Sequence, residues 1–208
     1  MVKQEVIQWR FVWKTQRPLL LIPIMLWLVV ILAGSSSQQL AKDLAVFLLY
    51  PSLAFPVVGL MSSIGSAYQK ELWITLPVSP WRAGAVRPLL MSLLYAGLFT
   101  SVLHRYYTPA QVAGGCISVL MYMLLIALIT TLFKNSAFGL CGGLIFLFFG
   151  LFTGGSGQGP LYLMQWYRQV TGLPSDVYLL EQGVFCLVAL FGTVQLIRFR
   201  ERFHLLKD

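Results

Sequence analysis

Few side chains in this sequence are of the types that do covalent or metal chemistry, and their spacing argues against it. His104 and His204 lie far apart, and no H-E-x-x-H pattern joins either one to an acid. Cys116, Cys141 and Cys186 all fall inside apolar stretches, with no C-x-x-C pair and no histidine at metal-ligand spacing, so they read as small apolar residues. Asp43 and Asp176 stand at the edges of apolar runs and form no buried pair. The glycine-rich stretch Gly154–Pro160 contains Ser156 but does not complete G-x-S-x-G. No Gly-Lys dipeptide occurs anywhere, so the phosphate loop G-x-x-x-x-G-K-[ST] is absent and the chain does not bind and hydrolyse ATP by that device. These absences argue against an enzyme in its own right, and no catalytic residue, metal ligand or cofactor site is expected. One acid is out of place. Glu181 lies inside an apolar run, where a carboxylate is costly unless it functions or reaches the headgroup layer.

The elements that must carry these residues are membrane helices. Of the 208 residues 58% are hydrophobic and only 11% charged, and the mean hydropathy is +0.76. That is too few polar residues to cover a water-facing surface. Six apolar runs can be drawn, at about 18–34, 44–66, 85–103, 110–133, 136–153 and 177–197. Each is long enough for a helix to cross a core of about 30 Å, the shortest only just. Helices are expected because isolated strands leave backbone groups unsatisfied in lipid, and the runs lack the alternation of a β-barrel. The net charge of +8 is not a nucleic-acid footprint, because Lys and Arg sit at the ends of the runs and form no continuous face. With the amino terminus inside, twelve basic residues fall on the inner side (Lys3, Arg10, Lys14, Arg17, Lys70, Arg82, Arg87, Lys134, Arg198, Arg200, Arg202, Lys207) and three outside (Lys42, Arg105, Arg168). Lys and Arg accumulate in cytoplasmic loops, so this bias predicts six spans with both ends in the cytoplasm. No cleavable signal peptide is evident.

Proline punctuates the spans at Pro23, Pro51, Pro56 and Pro88, predicting kinks, and Gly139, Gly142 and Gly143 allow close helix approach. Residues 1–17 predict an amphipathic helix on the inner membrane face, with Val2, Val6, Trp9 and Trp13 on its apolar side and Lys3, Gln4, Arg10, Lys14 and Arg17 on its basic side. Residues 18–208 form the membrane domain. After Gly154–Pro160, the segment Leu161–Val170 with Tyr162, Trp166 and Tyr167 is too short to span and fits an interfacial or re-entrant helix near the outer surface. Arg198–Asp208 reads as a solvated helix end.

The connection between the second and third spans is longer than a hairpin needs. It reads Tyr68-Gln69-Lys70-Glu71-Leu72-Trp73-Ile74-Thr75-Leu76-Pro77-Val78-Ser79-Pro80-Trp81-Arg82. A short amphipathic helix over Lys70–Leu76 is followed by a proline stop, a Ser N-cap and a restart at Pro80. Such an element presents Leu72, Trp73, Leu76 and Pro77 to another surface, either membrane or partner protein.

This order of residues resembles the coupling helix of the type-2 permeases of ATP-binding-cassette exporters, the membrane subunits of bacterial transporters. The resemblance implies that Glu71, Leu72, Thr75, Leu76, Pro77, Ser79 and Arg82 contact a separate cytoplasmic ATPase, which would bind the ATP and magnesium. It also implies an exporter in the bacterial cell membrane, working as a homo- or heterodimer of permease chains. The motif is short, whereas the similarity of topology extends over the whole chain. Leu72-Trp73 stand where members often carry a Glu-rich stretch and a Gly, and Arg87 where a Lys is frequent, so the subfamily and the cargo stay open. Aromatic, weakly charged walls suit an amphiphilic, lipid-like or peptide cargo. Glu181, Tyr50, Phe55 and Trp27 are the candidate pathway or substrate residues. The rival readings are a stand-alone secondary transporter or channel, and a membrane anchor recruiting a cytoplasmic partner.

Overall fold

A computed structural model describes residues 9–10, 12–62, 79–152, 162–168 and 175–199, and among these residues every regular element is helical. Five helices are long and apolar enough to cross a membrane: α1 (Arg17–Ser36), α2 (Gln38–Met61), α3 (Arg82–Leu103), α4 (Pro109–Phe133) and, after two shorter helices, α7 (Ser175–Arg198). The fifth predicted run forms α5 (Ser136–Phe152), 17 residues and about 25 Å long at 1.5 Å per residue, near the lower limit for a span. The last short helix is α6 (Gln165–Arg168).

Helix ends follow local chemistry that hydropathy does not register. The second helix begins at Gln38, six residues before the apolar run, because Ser37 adopts an extended conformation and its hydroxyl accepts from the Leu40 N–H. The connection from α1 is therefore one residue long. At the start of α4, Thr108 and Gln111 form a reciprocal capping box with Pro109 in the first turn. Between α4 and α5, Lys134 closes the helix in the left-handed region at φ 50°, a conformation that costs a residue with a Cβ about 1 kcal/mol. The expected irregularity of the second helix is present. A π-helical turn covers Ala45–Leu49, and the chain turns again at Leu53, between Pro51 and Pro56. The Tyr122 hydroxyl donates to the Pro51 carbonyl at this break (3.2 Å). By contrast α1 runs continuously through Pro23.

Contacts at two levels along each helix pair fix relative directions. Tyr95 donates to the Leu20 carbonyl (2.7 Å) and Trp27 to Ser101 (2.9 Å), so α1 and α3 run parallel. Gly34 faces Ala41 while Gly59 faces Leu19, so α1 and α2 are antiparallel. Ser118 meets Gln182 and Leu128 meets Gly192, a constant offset that makes α4 and α7 parallel. Gly139 packs on Thr130 and Gly143 on Ile126, so α5 returns antiparallel to α4 with almost no space between the backbones. The long helices thus alternate in direction. One end, here the near end, gathers Gln16, Ser62, Gly84 and Ile197: Gln16 Nε2 donates to Ser62 (3.2 Å), and Gly84 lies against Val194 and Ile197. The far end holds the α1–α2 and α3–α4 turns, where Tyr106 packs on Gly34.

Packing places α2 and α4 inside. The central helix α4 touches α2, α3, α5, α6 and α7. In contrast α1 and α7 turn long apolar faces outward, including Met25, Leu28 and Leu32 on one and Leu180, Val184, Leu187 and Phe191 on the other. Apolar faces this extensive are not left to water. The chain is a membrane protein whose described residues are built from helices alone. Before α1, residues 9–10 and 12–15 are helical, and Trp9 and Val12 pack on the core whereas Trp13 is 47% exposed. The apolar side predicted from Trp9 and Trp13 is therefore split. Val12 and Trp9 share the side that packs on the core, Gln16 reaches Ser62 and Gly59 of α2, and Trp13 is exposed.

Candidate functional site

The far half of the bundle contains a cluster of aromatic rings built from four elements. Tyr50, on α2 just after its π-turn, is fully buried and stacks on Phe99 of α3 with ring centroids 5.2 Å apart. Tyr122 of α4 lies against Tyr50 with centroids 5.5 Å apart and the rings tilted by 44°. Trp166 of α6 meets Tyr50, Phe99 and Tyr107 edge-on at 6.1, 5.7 and 5.6 Å, and Tyr167 follows at 5.9 Å. Edge-to-face pairs of this kind are favourable because ring edges are positive and ring faces negative.

The segment carrying Trp166 is inserted between helices. Tyr162, Leu163, Met164 and Trp166 are all buried, the Tyr50 hydroxyl donates to the Leu163 carbonyl (3.4 Å), and the indole lies beside Gly115 of α4, whose missing side chain makes room for Leu103. The expected interfacial or re-entrant piece is thus a plug that fills the far end between α2, α3 and α4. Two polar atoms here are buried without a hydrogen-bond partner among the described residues, the Trp166 N–H of the plug and the Tyr107 hydroxyl of the adjoining α3–α4 turn. Burial and the nearby Tyr167 and Asp43 push the Tyr107 phenol up to about 12. The Lys42 ammonium stands over the Tyr107 ring, 5.6 Å from its centroid.

The residues proposed for a pathway are not gathered in one place. Tyr50 lies inside the aromatic cluster, and Phe55 is half-buried further along α2. Trp27 sits on the α1–α3 seam. Glu181 is exposed on α7 beside Val177, Leu180 and Val184, whereas its neighbour Gln182 is fully buried and accepts from Ser118 (2.8 Å). Phe99, Tyr107 and Tyr122 carry no sequence pattern that separates them from other apolar residues. Trp166 is legible only as part of an aromatic segment that is too short to span.

Of the coupling residues, Glu71, Leu72, Thr75, Leu76 and Pro77 lie outside the described residues. Ser79 is exposed at the near end, where its carbonyl accepts from Ala83 N–H (3.1 Å). Arg82, half-buried, opens the π-helical turn Arg82–Val86 that begins α3, and Trp81 is 60% exposed beside it. A Cβ at Gly84 would stand 3.0 Å from the Val194 Cα, so the start of α3 and the end of α7 are in backbone contact. Among the described residues no group of His, Cys, Asp or Glu is placed to hold a metal ion. Compared with known proteins, the chain matches no protein-family model, no curated protein and no solved structure.

Proposed function

We propose that this chain is the permease subunit of an ATP-driven exporter of the bacterial cell membrane, with six spans, both ends cytoplasmic and a separate ATPase as its energy source. The observation that carries the reading is the placement of the Ser79–Arg82 end of the proposed coupling segment. It lies at the end of the bundle shared with Gln16, Ser62 and Ile197, where the basic residues Lys14, Arg17, Arg82 and Arg198 also fall. That is the face the charge bias assigns to the cytoplasm.

A mechanical route follows from the packing. Closure of an ATPase against Glu71–Arg82 pushes on the start of α3, whose Gly84 has no side chain to cushion it from α7. The seventh helix is in turn tied to α4 through Ser118 and Gln182. The first stretch of α3 is a π-turn and α2 is broken at Leu53, so both can change direction without losing a regular helix. At the far end of α3 and α4 lies the aromatic plug, whose withdrawal opens the outer side to an amphiphilic, lipid-like or peptide cargo. Two permease chains, identical or related, enclose the path, by the symmetry usual for half-transporters.

The test is co-purification of a phosphate-loop ATPase with the full chain from its native membrane. Glu71→Ala combined with Leu76→Asp is expected to abolish it, while far-end variants leave it intact. Unchanged association in the double variant counts against the coupling assignment. Transport by the purified chain with no ATPase present would replace the reading with a secondary transporter.

A further inference from the structure

The far end of the bundle presents a charged pair and two buried donors beside the aromatic plug. Lys42 and Asp43 are adjacent, half-buried residues close to the end of the first turns of α2, and no ion pair joins them among the described residues. Lys42 lies over the Tyr107 ring, and among the described residues Asp43 accepts a 3.2 Å bond from Gln39. Beside them are two buried donors without partners among the described residues, the Tyr107 hydroxyl and the Trp166 N–H, on rings 5.6 Å apart. Trp166 is 4% exposed, so its N–H has no access to bulk water, and a buried donor left unpaired is destabilising. A cation, two neutral donors and a carboxylate gathered around Tyr107 are, as a set of charges and donors, complementary to a zwitterion.

We propose that Lys42, Asp43, Tyr107 and Trp166 form a site for an amine-bearing phosphodiester headgroup, that of a phosphatidylethanolamine-type lipid. The phosphate oxygens accept from Lys42, Tyr107 and Trp166, and the primary ammonium donates to Asp43. A choline headgroup carries no N–H for the carboxylate, and a glycerol headgroup brings a net negative charge to it, so both bind more weakly. The level is that of lipid headgroups. Tyr107 lies in the turn between α3 and α4, and the apolar part of α2 begins only at Leu44. The inference needs only that the bundle spans a membrane, and it is independent of the exporter reading.

The experiment uses the purified full-length chain in detergent, without any ATPase. Bound lipid is counted by native mass spectrometry during titration with dihexanoyl-phosphatidylethanolamine, -phosphatidylcholine or -phosphatidylglycerol, and with free phosphoethanolamine. The ethanolamine lipid is expected to bind tightest. Tyr107→Phe, which keeps the ring and its packing, is expected to weaken it about tenfold through loss of one charge-assisted hydrogen bond. Lys42→Gln is expected to act similarly on all three lipids. Asp43→Asn is expected to remove the preference for ethanolamine over choline and glycerol. The proposal is overturned if Tyr107→Phe and Lys42→Gln leave binding unchanged, or if Asp43→Asn leaves the order of the three lipids intact. Free phosphoethanolamine binding as tightly as the lipid would overturn the assignment to a membrane lipid.

Discussion

Replacing Trp166 by alanine is expected to open the far end of the bundle. The indole is 96% buried and makes four ring contacts, to Tyr50, Phe99, Tyr107 and Tyr167, at 5.6 to 6.1 Å. At about 1 kcal/mol for each aromatic pair, the ring contacts alone amount to roughly 4 kcal/mol. The whole cost of truncating a buried Trp to Ala, transfer and cavity together, is about 3–5 kcal/mol, and the lost ring pairs put this site toward the upper part of that range. For a chain of this size each kcal/mol moves the melting temperature by about 2–4 °C, and a fall of roughly 6–20 °C is expected. Trp166→Phe keeps a ring in the slot and is expected to lose less than half of that. Thermal unfolding in one detergent measures the shift. Local opening is read separately, by placing a cysteine at the fully buried Leu163 in a chain whose Cys116, Cys141 and Cys186 have been changed to alanine. A membrane-impermeant maleimide is expected to label Leu163→Cys slowly with Trp166 present and rapidly in Trp166→Ala. A melting temperature within 1–2 °C of the parent, or labelling equally fast in both chains, would refute the plug.

Three further outcomes test other parts of the argument. Gly143→Leu drives a side chain into Ile126 and Tyr122, so the α4–α5 hairpin is expected to lose at least about 1–3 kcal/mol, while Gly97→Leu, with nothing within 4 Å of its site, is expected to be neutral in the same melt. Gln182→Leu removes the acceptor of Ser118 between α4 and α7 and is expected to cost about 1 kcal/mol, whereas the exposed Glu181→Gln is expected to stay within about 0.5 kcal/mol; equal effects would place both residues wrongly. The Tyr107 phenol, pushed up to about 12 in the fold against the ordinary 10.0, favours folding in its neutral form. That contribution is complete below pH 10 and is lost as pH rises through 12, so melts recorded from pH 9 to 12 are expected to fall more steeply for the parent than for Tyr107→Phe.

What the sequence determined by itself is the solvent of each segment. Continuous apolar runs without charge have one stable form in lipid, a helix that satisfies its own backbone, so the long helices are legible within a few residues at most ends. The late reading of the α2 start at Gln38 marks the limit, because Gln38–Asp43 is polar and only the Ser37 cap reveals that it is helical. Glycine spacing likewise pointed to close approach at Gly139 and Gly143, a property of backbone bulk that needs no partner to be known. The tertiary structure alone decided which apolar residue faces a neighbour and which faces lipid. Hydropathy is nearly the same on all sides of a membrane helix, so nothing in composition separates buried Gln182 from exposed Glu181, or packed Val12 from outward Trp13. For the same reason the insertion of Trp166 among Tyr50, Phe99 and Tyr107 was out of reach. It joins residues from four elements, and only the folded chain brings them together.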